Sequence, residues 1–212
     1  MSAEVYAVIE FRDVSGWRAW KIAEAPGPRW DLPIDQDYDL FAILANVRNE
    51  CRYQGDRFDS ISDRRGFPED ISAEARDEGC TGDHSATWMT LSEILAFDWT
   101  RAVNKYGYLN GIEFERWERN RRWAPIPDVY HWDVTGADER VVSEAEMRES
   151  LARARTSSPV EQDLSNIYCR ISWQEGYAQC AAQLWTVVLP RMLRLGNQYG
   201  FDNVRLVMNF QS

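Results

Sequence analysis

Apolar and polar residues alternate along the first part of the chain. Every second position of residues 4–12 is apolar: Val5, Ala7, Ile9 and Phe11. A period of two is typical of a strand that buries one face. Turn residues follow at 13–16, and the next stretch, WRAWKIAEA, can return as a second strand. The pattern predicts that the chain opens with a β-hairpin.

A helical pattern follows in YDLFAILANVRN, residues 38–49, where the apolar positions form one wide stripe. We expect Asp39 to be the N-cap, with its carboxylate accepting amide hydrogens of the first turn. Tyr38 is expected to contact Ile43 as a hydrophobic staple, and the helix is predicted to end near Arg48. The alternative is that Asp39 is an active-site acid in front of a buried element.

Residues 50–82 are polar and rich in turn residues, which predicts a long loop that is functional or mobile. Ser72 is expected to cap a short helix that runs through Asp77. Arg64 and Arg65 precede Gly66 at a sharp turn, where two guanidinium groups could bind a phosphate or a carboxylate. The alternative is surface pairing with nearby acids, namely Asp63, Glu69 or Asp70.

A capping box of Thr90 and Glu93 predicts the start of another helix. Before it stand Asp83, His84 and Ser85, the residue types of a hydrolytic triad. Adjacent residues cannot all point at one another, because a triad brings side chains together from separate elements. His84 is therefore expected to act either as a ligand donor or general base, or in a structural hydrogen bond.

Residues 112–133 mix arginines with tryptophans: Arg116, Arg119, Arg121, Arg122, Trp117, Trp123 and Trp132. Such a mixture can stack a base and hold its phosphate. The alternative is an exposed helix face on which the arginines pair with Glu113, Glu115 and Glu118 at helical spacing, and the near balance of acids and bases favours it.

The rest of the chain predicts a helix that opens with a Ser143–Glu146 capping box and runs to about Arg155, and then a strand, a helix and a closing strand. Pro190 should kink or interrupt the last helix, because proline lacks an amide hydrogen. The expected fold class is α+β, with a mixed or antiparallel sheet, packed helices, long functional loops and a C-terminal strand-helix-strand unit. We expect one domain, 1–212, with a possible insertion at about 105–160.

Charge and composition narrow the partners. The 212 residues carry a net charge of −10, which opposes binding to bulk nucleic acid or an anionic membrane surface. The longest apolar stretches, 40–45 and 181–189, are shorter than the roughly 20 residues of a membrane span. Acidic residues interrupt the N-terminal stretch, which predicts no signal peptide and a cytoplasmic location.

The cysteines are too widely spaced for a zinc knuckle or a redox motif: Cys51, Cys80, Cys169 and Cys180. They are expected to be reduced and mostly buried. The chain has only two histidines, His84 and His131, so a histidine-rich metal site is not expected. The sequence predicts neither a metal nor a cofactor.

Three stretches carry a family resemblance: YDLFAILANVRN from Tyr38 to Asn49, RGFPEDIS from Arg65 to Ser72, and DHSATWMTL from Asp83 to Leu91. Together with the closing strand, Val204 to Phe210, they resemble a family of small bacteriophage and prophage proteins of unassigned function. The resemblance covers roughly the first half of the chain and its last strand. It implies a phage origin and a place in the host cytoplasm, but it supplies no reaction.

Phage proteins of this size often disarm host immunity, so the resemblance favours a protein that sequesters a small anionic ligand, such as a nucleotide-derived immune signal. A binding pocket of that kind needs arginines for phosphates, an aromatic face for a base, and amides or carboxylates for a ribose. The residues expected to line it are Tyr38, Asp39, Arg48, Asn49, Arg64, Arg65, Asp70, Asp83, His84, Ser85 and Trp88.

Two other functions remain open. The chain could instead bind and inhibit a host protein, which ten tryptophans and an acidic surface would suit. It could also be a nucleotide-cleaving hydrolase in which His84 acts with Asp83 or Asp39, although no catalytic residue is assigned and an enzyme is the less favoured class. A homodimer is expected on the frequency of symmetric oligomers.

Overall fold

A computed structural model describes residues 4–21, 32–49, 55–79, 84–156 and 164–211. The chain divides into two compact units, which are described individually below. The first comprises Met1–Asn49, Phe58–Arg101 and Gly176–Ser212, and the second comprises Glu50–Arg57 and Ala102–Glu175. Helices and two sheets confirm the predicted α+β class. One domain with an insertion stays a prediction.

The first unit is built on a four-stranded antiparallel sheet of order β2-β1-β7-β3. Its strands are β1 (Glu4–Asp13), β2 (Gly16–Ala19), β3 (His84–Thr90) and β7 (Val204–Gln211). The β1–β2 hairpin and the closing strand form as predicted, but β2 ends at Ala19, and the end of the predicted second strand, 22–25, lies outside the described residues. The last strand of the chain thus lies inside the sheet, between the first strand and the third.

Four helices of the first unit matter for its packing: α1 (Tyr38–Ala45), α2 (Ala73–Gly79), α3 (Leu91–Ala96) and α7 (Leu189–Tyr199). Cross-strand partners share a face of a sheet, so the register assigns the two faces. On one face, Val8 and Val207 pack with Ala75 of α2. On the other face, Phe210 packs against Phe41 of α1, with ring centroids 5.3 Å apart. The sheet is therefore covered on both faces.

Helix α1 differs from its prediction at both ends. Its N-cap is Asp37, whose Oδ1 accepts a hydrogen bond from the Leu40 amide at 3.1 Å, and Asp39 lies in the first turn. Tyr38 is then the first helical residue, so the predicted staple is wrong. The helix ends at Ala45 and not near Arg48, because Asn46 takes a left-handed conformation with φ of 55°. Asparagine tolerates that conformation better than most residues.

Two predicted caps are confirmed in the first unit. The Ser72 hydroxyl accepts a hydrogen bond from the Ala75 amide at 3.2 Å at the start of α2. Thr90 and Glu93 form the reciprocal capping box of α3, with Glu93 Oε2 accepting from the Thr90 amide at 2.8 Å. Glu93 therefore stabilises the start of α3 through one of its carboxylate oxygens.

The second unit is built on a three-stranded sheet of order β4-β6-β5. Its strands are β4 (Ala102–Asn110), β5 (Arg140–Val142) and β6 (Ile167–Gly176), and its helices are α4 (Gly111–Asn120) and α5 (Glu144–Thr156). The predicted Ser143–Glu146 box opens α5. The core between the sheet and the helices contains Leu109, Phe114, Met147, Leu151, Cys169, Ile171 and Trp173.

The predicted strand-helix-strand order at the C-terminal end is confirmed, although β6 and β7 belong to different sheets. The helical segment between them starts with α6 (Tyr177–Cys180), passes through a π-helical turn at Leu184–Val188 and continues as α7. The interruption falls just before Pro190, as its missing amide hydrogen requires. No helix in the described ranges is both long and apolar enough to cross a membrane.

Candidate functional site

The ligand-binding residues predicted from the sequence lie at several places in the first unit. Tyr38 and Asp39 begin α1, where the Tyr38 ring packs edge-on to Phe41 with centroids 6.1 Å apart. Asp83 lies outside the described residues. Ligand binding by this set stays a prediction, but the described members do not form one cluster.

Arg48 and Asn49 follow α1, and Arg48 has a left-handed φ of 58°. The Asn49 side chain is fully engaged in the fold. Its Nδ2 donates to Phe58 O at 2.7 Å and its Oδ1 accepts from the Phe58 amide at 2.9 Å. The side-chain amide of Asn49 thus pairs with the backbone of Phe58 as a residue of a neighbouring strand would. It ties together the two residues that flank 50–57.

Arg65 pairs with a carboxylate that the sequence did not single out for it. Its Nη1 lies 2.8 Å from Glu93 Oε1, and its guanidinium carbon lies 5.4 Å from the centre of the Trp88 ring. Glu93 thus caps α3 and binds Arg65 with different oxygens. Arg64 is exposed beside it. The sequence predicted that both guanidinium groups could bind one ligand. In the structure Arg65 pairs with Glu93, whereas Arg64 is exposed to solvent.

Asp70 is the exposed member of an ionic network around the buried Arg205, a residue that sequence reasoning missed. Arg205 Nε donates to Glu10 Oε2 at 2.6 Å, and its Nη1 donates to Asp70 Oδ1 at 2.8 Å. The arginine side chain is 3% exposed and that of Glu10 is 0% exposed. The hydrogen bond from Arg205 holds the pKa of the Asp70 carboxyl below its usual value.

Two tryptophans surround the same guanidinium. The Arg205 guanidinium carbon lies 3.8 Å from the centre of the Trp17 ring and 5.7 Å from that of Trp88. Glu10 Oε1 accepts from the Ser72 amide at 2.7 Å, which ties the network to the approach to α2. Arg205 therefore already pairs with Glu10 and Asp70 and contacts two aromatic rings, so its guanidinium is used within the fold and is not offered to a ligand.

His84 and Ser85 lie at the irregular start of β3. His84 Nδ1 is 2.8 Å from Ser85 Oγ, and Ser85 has a φ of 60° at a break in strand register. His84 is paired in register with Phe210, whereas Trp88 is paired with Val207. Because Phe210 and Val207 belong to opposite faces of the sheet, His84 and the Arg65–Trp88 pair occupy different faces. The structure brings Arg65, Asp70 and Trp88 together and leaves His84 apart.

A cleft with a volume of about 490 Å³ lies in the second unit. That volume falls within the roughly 300–1,000 Å³ typical of small-molecule sites. None of the predicted site residues that the structure describes lines it. Its lining residues come from β4, β6, the start of α5 and residues 55–56: Gly55, Asp56, Asn104, Lys105, Tyr106, Glu144, Arg170, Ile171 and Ser172.

The cleft has an aromatic ring and a cation in direct contact. The Arg170 guanidinium carbon lies 4.1 Å from the centre of the Tyr106 ring. Within the described ranges, no carboxylate lies at ion-pair distance from Arg170. The charge of Arg170 is therefore stabilised by the ring quadrupole and by solvent, and its hydrogen-bond donors are available to an incoming anion.

Three other polar residues of the cleft, Asp56, Asn104 and Lys105, are held by hydrogen bonds and an ion pair. Asn104 Nδ2 donates to Asp56 Oδ2 at 2.7 Å, and its Oδ1 accepts from Gln174 at 3.3 Å. Lys105 is 4% exposed and forms an ion pair with Glu175 at 3.2 Å. Because Lys105 is neutralised by Glu175, Arg170 is the cation that the cleft presents to solvent.

Sequence reasoning missed this cleft for a definable reason. Alternation along AVNKYGYLN and IYCRISWQ predicts which residues share a face of each strand, but it does not tell which strands are neighbours. The approach of residues 55–56 to β4 is a contact between distant parts of the chain. A signal did exist, because Tyr106 and Arg170 alternate with the buried positions of their strands, Lys105 and Gly107 in β4 and Cys169 and Ile171 in β6.

No protein-family model, curated protein or solved structure matches the chain. The resemblance to a bacteriophage family and the cytoplasmic location therefore stay predictions.

Proposed function

We propose that the protein binds a small ligand that combines an anionic group with an aromatic ring, of the nucleotide class, in the cleft of the second unit, and that it sequesters the ligand without turnover. One observation carries the proposal: Arg170 lies against the Tyr106 ring in a cleft of ligand size, and no carboxylate among the described residues lies at ion-pair distance from Arg170. This keeps the function expected from the sequence and moves its site.

The chemistry of the lining suits such a ligand. The Arg170 guanidinium supplies the planar donor pair that phosphates and carboxylates bind. The Tyr106 ring offers an apolar surface beside it, and Ser172 and Asp56 supply polar groups of the kind that bind hydroxyls. The Asp56–Asn104–Gln174 hydrogen bonds fix part of this surface before a ligand arrives, which lowers the entropic cost of binding.

The proposal is tested by retention. The full chain is incubated with a panel of cyclic dinucleotides, cyclic mononucleotides and ADP-ribose derivatives, separated from free ligand, and denatured by heat. Mass spectrometry then identifies what is released. Intact nucleotide supports sequestration, a cleaved product supports a hydrolase, and the absence of any retained nucleotide would overturn the proposal in favour of a protein partner.

Two variants distinguish the possible sites. Arg170→Gln removes the charge of the cleft, whereas Arg65→Gln removes that of the loop site predicted from sequence. We expect Arg170→Gln to weaken binding by about 1.5–3 kcal/mol, the worth of a hydrogen bond to a charged group, and Arg65→Gln to leave affinity unchanged. The reverse result, measured by isothermal titration calorimetry, would place the site at the loops.

A further inference from the structure

A second surface of the second unit combines exposed cations with an exposed tryptophan. We define the Trp123 patch as Arg116, Arg121, Arg122 and Trp123, at the end of α4 and in the turn that follows. The Trp123 residue is 83% exposed. A tryptophan exposed to this degree is unusual, since its large apolar surface normally packs against other residues.

The tryptophan is held in place by its backbone. The amides of Trp123 and Ala124 both donate to Asn120 O, at 2.8 and 3.0 Å, and the Arg121 amide donates to Trp117 O at 2.7 Å. Trp117 in turn donates through Nε1 to Pro125 O at 2.9 Å. The ring of Trp123 is thus presented on a hydrogen-bonded turn, which lowers the entropy lost when a partner binds.

The acids of α4 form their ion pairs with residues outside the patch, and Glu113 pairs with His131 at 3.1 Å. Arg155 lies 2.7 Å from Glu115, and Arg148 lies 2.6 Å from Glu118. Arg119 also pairs with Glu115, at 3.6 Å. The sequence predicted that the glutamates of α4 pair with arginines of the same helix. In the structure, Glu115 and Glu118 pair mainly with arginines of α5.

Two of the three arginines of the patch contact aromatic rings. Arg121 lies 5.5 Å from the Trp117 ring centre, and Arg122 lies 5.3 Å from that of Trp123. In the part of the chain that the structure describes, Arg116, Arg121 and Arg122 form no ion pair. Cations also stabilise a helix C-terminus through its dipole, which accounts for arginines here. It does not account for the exposed indole.

The shape of the patch points to a macromolecule. The adjoining hollow, lined by Arg116, Trp117 and Val129, has a volume of about 20 Å³. A space of that size holds about one water molecule. A small ligand would find no enclosure, whereas Trp and Arg are the residue types that contribute most to the energy of protein interfaces.

We propose that the Trp123 patch docks an acidic segment of a protein partner, with carboxylates bound by the arginines and an apolar side chain packed on the Trp123 ring. Charge complementarity selects this occupant. A single-stranded nucleic acid has the matching charge, but its extended backbone would experience the net charge of −10 of the whole chain. A short acidic segment places its few charges against the patch alone.

The test uses a short fluorescein-labelled peptide in which glutamates flank a Leu-Phe pair, the same peptide with glutamines, and an oligothymidylate of equal length. Fluorescence anisotropy with the full chain, at near-physiological salt, is expected to show that the glutamate peptide binds about tenfold more tightly than either other probe. Failure of the glutamate peptide to bind, or tighter binding of the oligothymidylate, would overturn the proposal.

Variants then locate the contact. Trp123→Ala and the double variant Arg121→Gln/Arg122→Gln are each expected to weaken peptide binding about tenfold. Arg194→Gln is the matched control, because Arg194 is an exposed arginine in the first unit. All of these residues are exposed, so Trp123→Ala and the control are expected to melt as the parent protein does. The double arginine variant should show only a small fall in Tm, from the lost interaction with the helix dipole. Equal peptide affinity in the patch variants and the control would refute the assignment.

Discussion

Glu10 and Arg205 are cross-strand partners on β1 and β7, joined by a 2.6 Å hydrogen bond and almost completely buried. Removing one member of a buried pair leaves an uncompensated charge and costs about 3–5 kcal/mol. We therefore expect Arg205→Met to lower the free energy of unfolding by about that amount in urea titrations. Arg194→Met, at an exposed position, is the control.

The double variant Glu10→Leu/Arg205→Met tests the physical reason. With both charges gone, no unpaired ion is buried, and the loss is expected to be smaller than that of Arg205→Met alone. A double variant less stable than Arg205→Met would contradict this account. It would show that Glu10 contributes more through its hydrogen bond with the Ser72 amide than its unpaired charge costs.

Asp70 makes the stability of the first unit depend on pH. Its pKa is lowered by the hydrogen bond from Arg205, so the carboxylate stabilises the fold fully above the unfolded-state pKa of about 3.9. That contribution is lost as the pH falls through the lower folded-state pKa. Asp70→Asn is expected to cost up to about 1 kcal/mol near neutral pH, because the carboxylate is largely exposed, and to cost less in acid.

Thermal melts of Asp70→Asn and the parent protein between about pH 5 and pH 2 measure this effect. The difference in Tm should narrow as the pH falls. The control is Asp202→Asn, which changes an exposed carboxylate of the same unit. A difference that stays constant over this range would mean that the charge of Asp70 does not contribute.

Gly55 lines the cleft and cannot accept a side chain. Its φ is +123°, and an added Cβ would lie 1.9 Å from Asn104 O. Gly16 has a similar φ of +116° but open space around it, so Gly16→Ala measures the backbone cost alone, about 1–3 kcal/mol. Gly55→Ala is expected to cost more than Gly16→Ala in urea unfolding. Equal costs would mean that β4 moves aside freely.

Cys169 is expected to resist alkylation in the folded protein. Burial raises the pKa of its thiol to about 11, so roughly a thousandth of it is thiolate near pH 8. Iodoacetamide labelling followed by peptide mass spectrometry should modify Cys169 only after unfolding in guanidinium. Cys169→Ser confirms the assignment of the peptide. Labelling of Cys169 at equal rates in folded and unfolded protein would contradict the expected protection.

Local hydrogen bonding explains which features the sequence predicts well. The boxes at Thr90–Glu93 and Ser143–Glu146 depend on residues three apart, and both form as expected. The cap of α1 was misassigned because DQDYD offers three acids, and packing beyond the segment decides among them. Strand alternation predicted one buried face of β1, with Val5, Ala7 and Ile9. It did not predict that Val8 and Glu10 on the opposite face are also buried, because the helix that covers them comes from elsewhere in the chain.

Long-range contacts explain what the sequence could not show. Glu10 and Arg205 are separated by 195 positions. In the sequence each is a single charged residue within a largely apolar strand, and nothing indicates that the two are partners. The ligand cleft depends on β4, β6 and residues 55–56 being neighbours. Alternation within one sequence does not show which strands pair, so a site formed by several strands could not be predicted. The Arg–Trp segment, 112–133, is local in sequence and was recognised from its composition.

The position of β7 inside the first sheet has a consequence for synthesis. Both β1 and β3 take their hydrogen bonds from this strand, which leaves the ribosome after every other element of the sheet. Until β7 has been synthesised, the β1–β2 hairpin and β3 therefore lack the strand that joins them in the sheet. Nascent chains that stop short of residues 204–211 should present unpaired strand edges, which are the surfaces that chaperones and aggregation compete for.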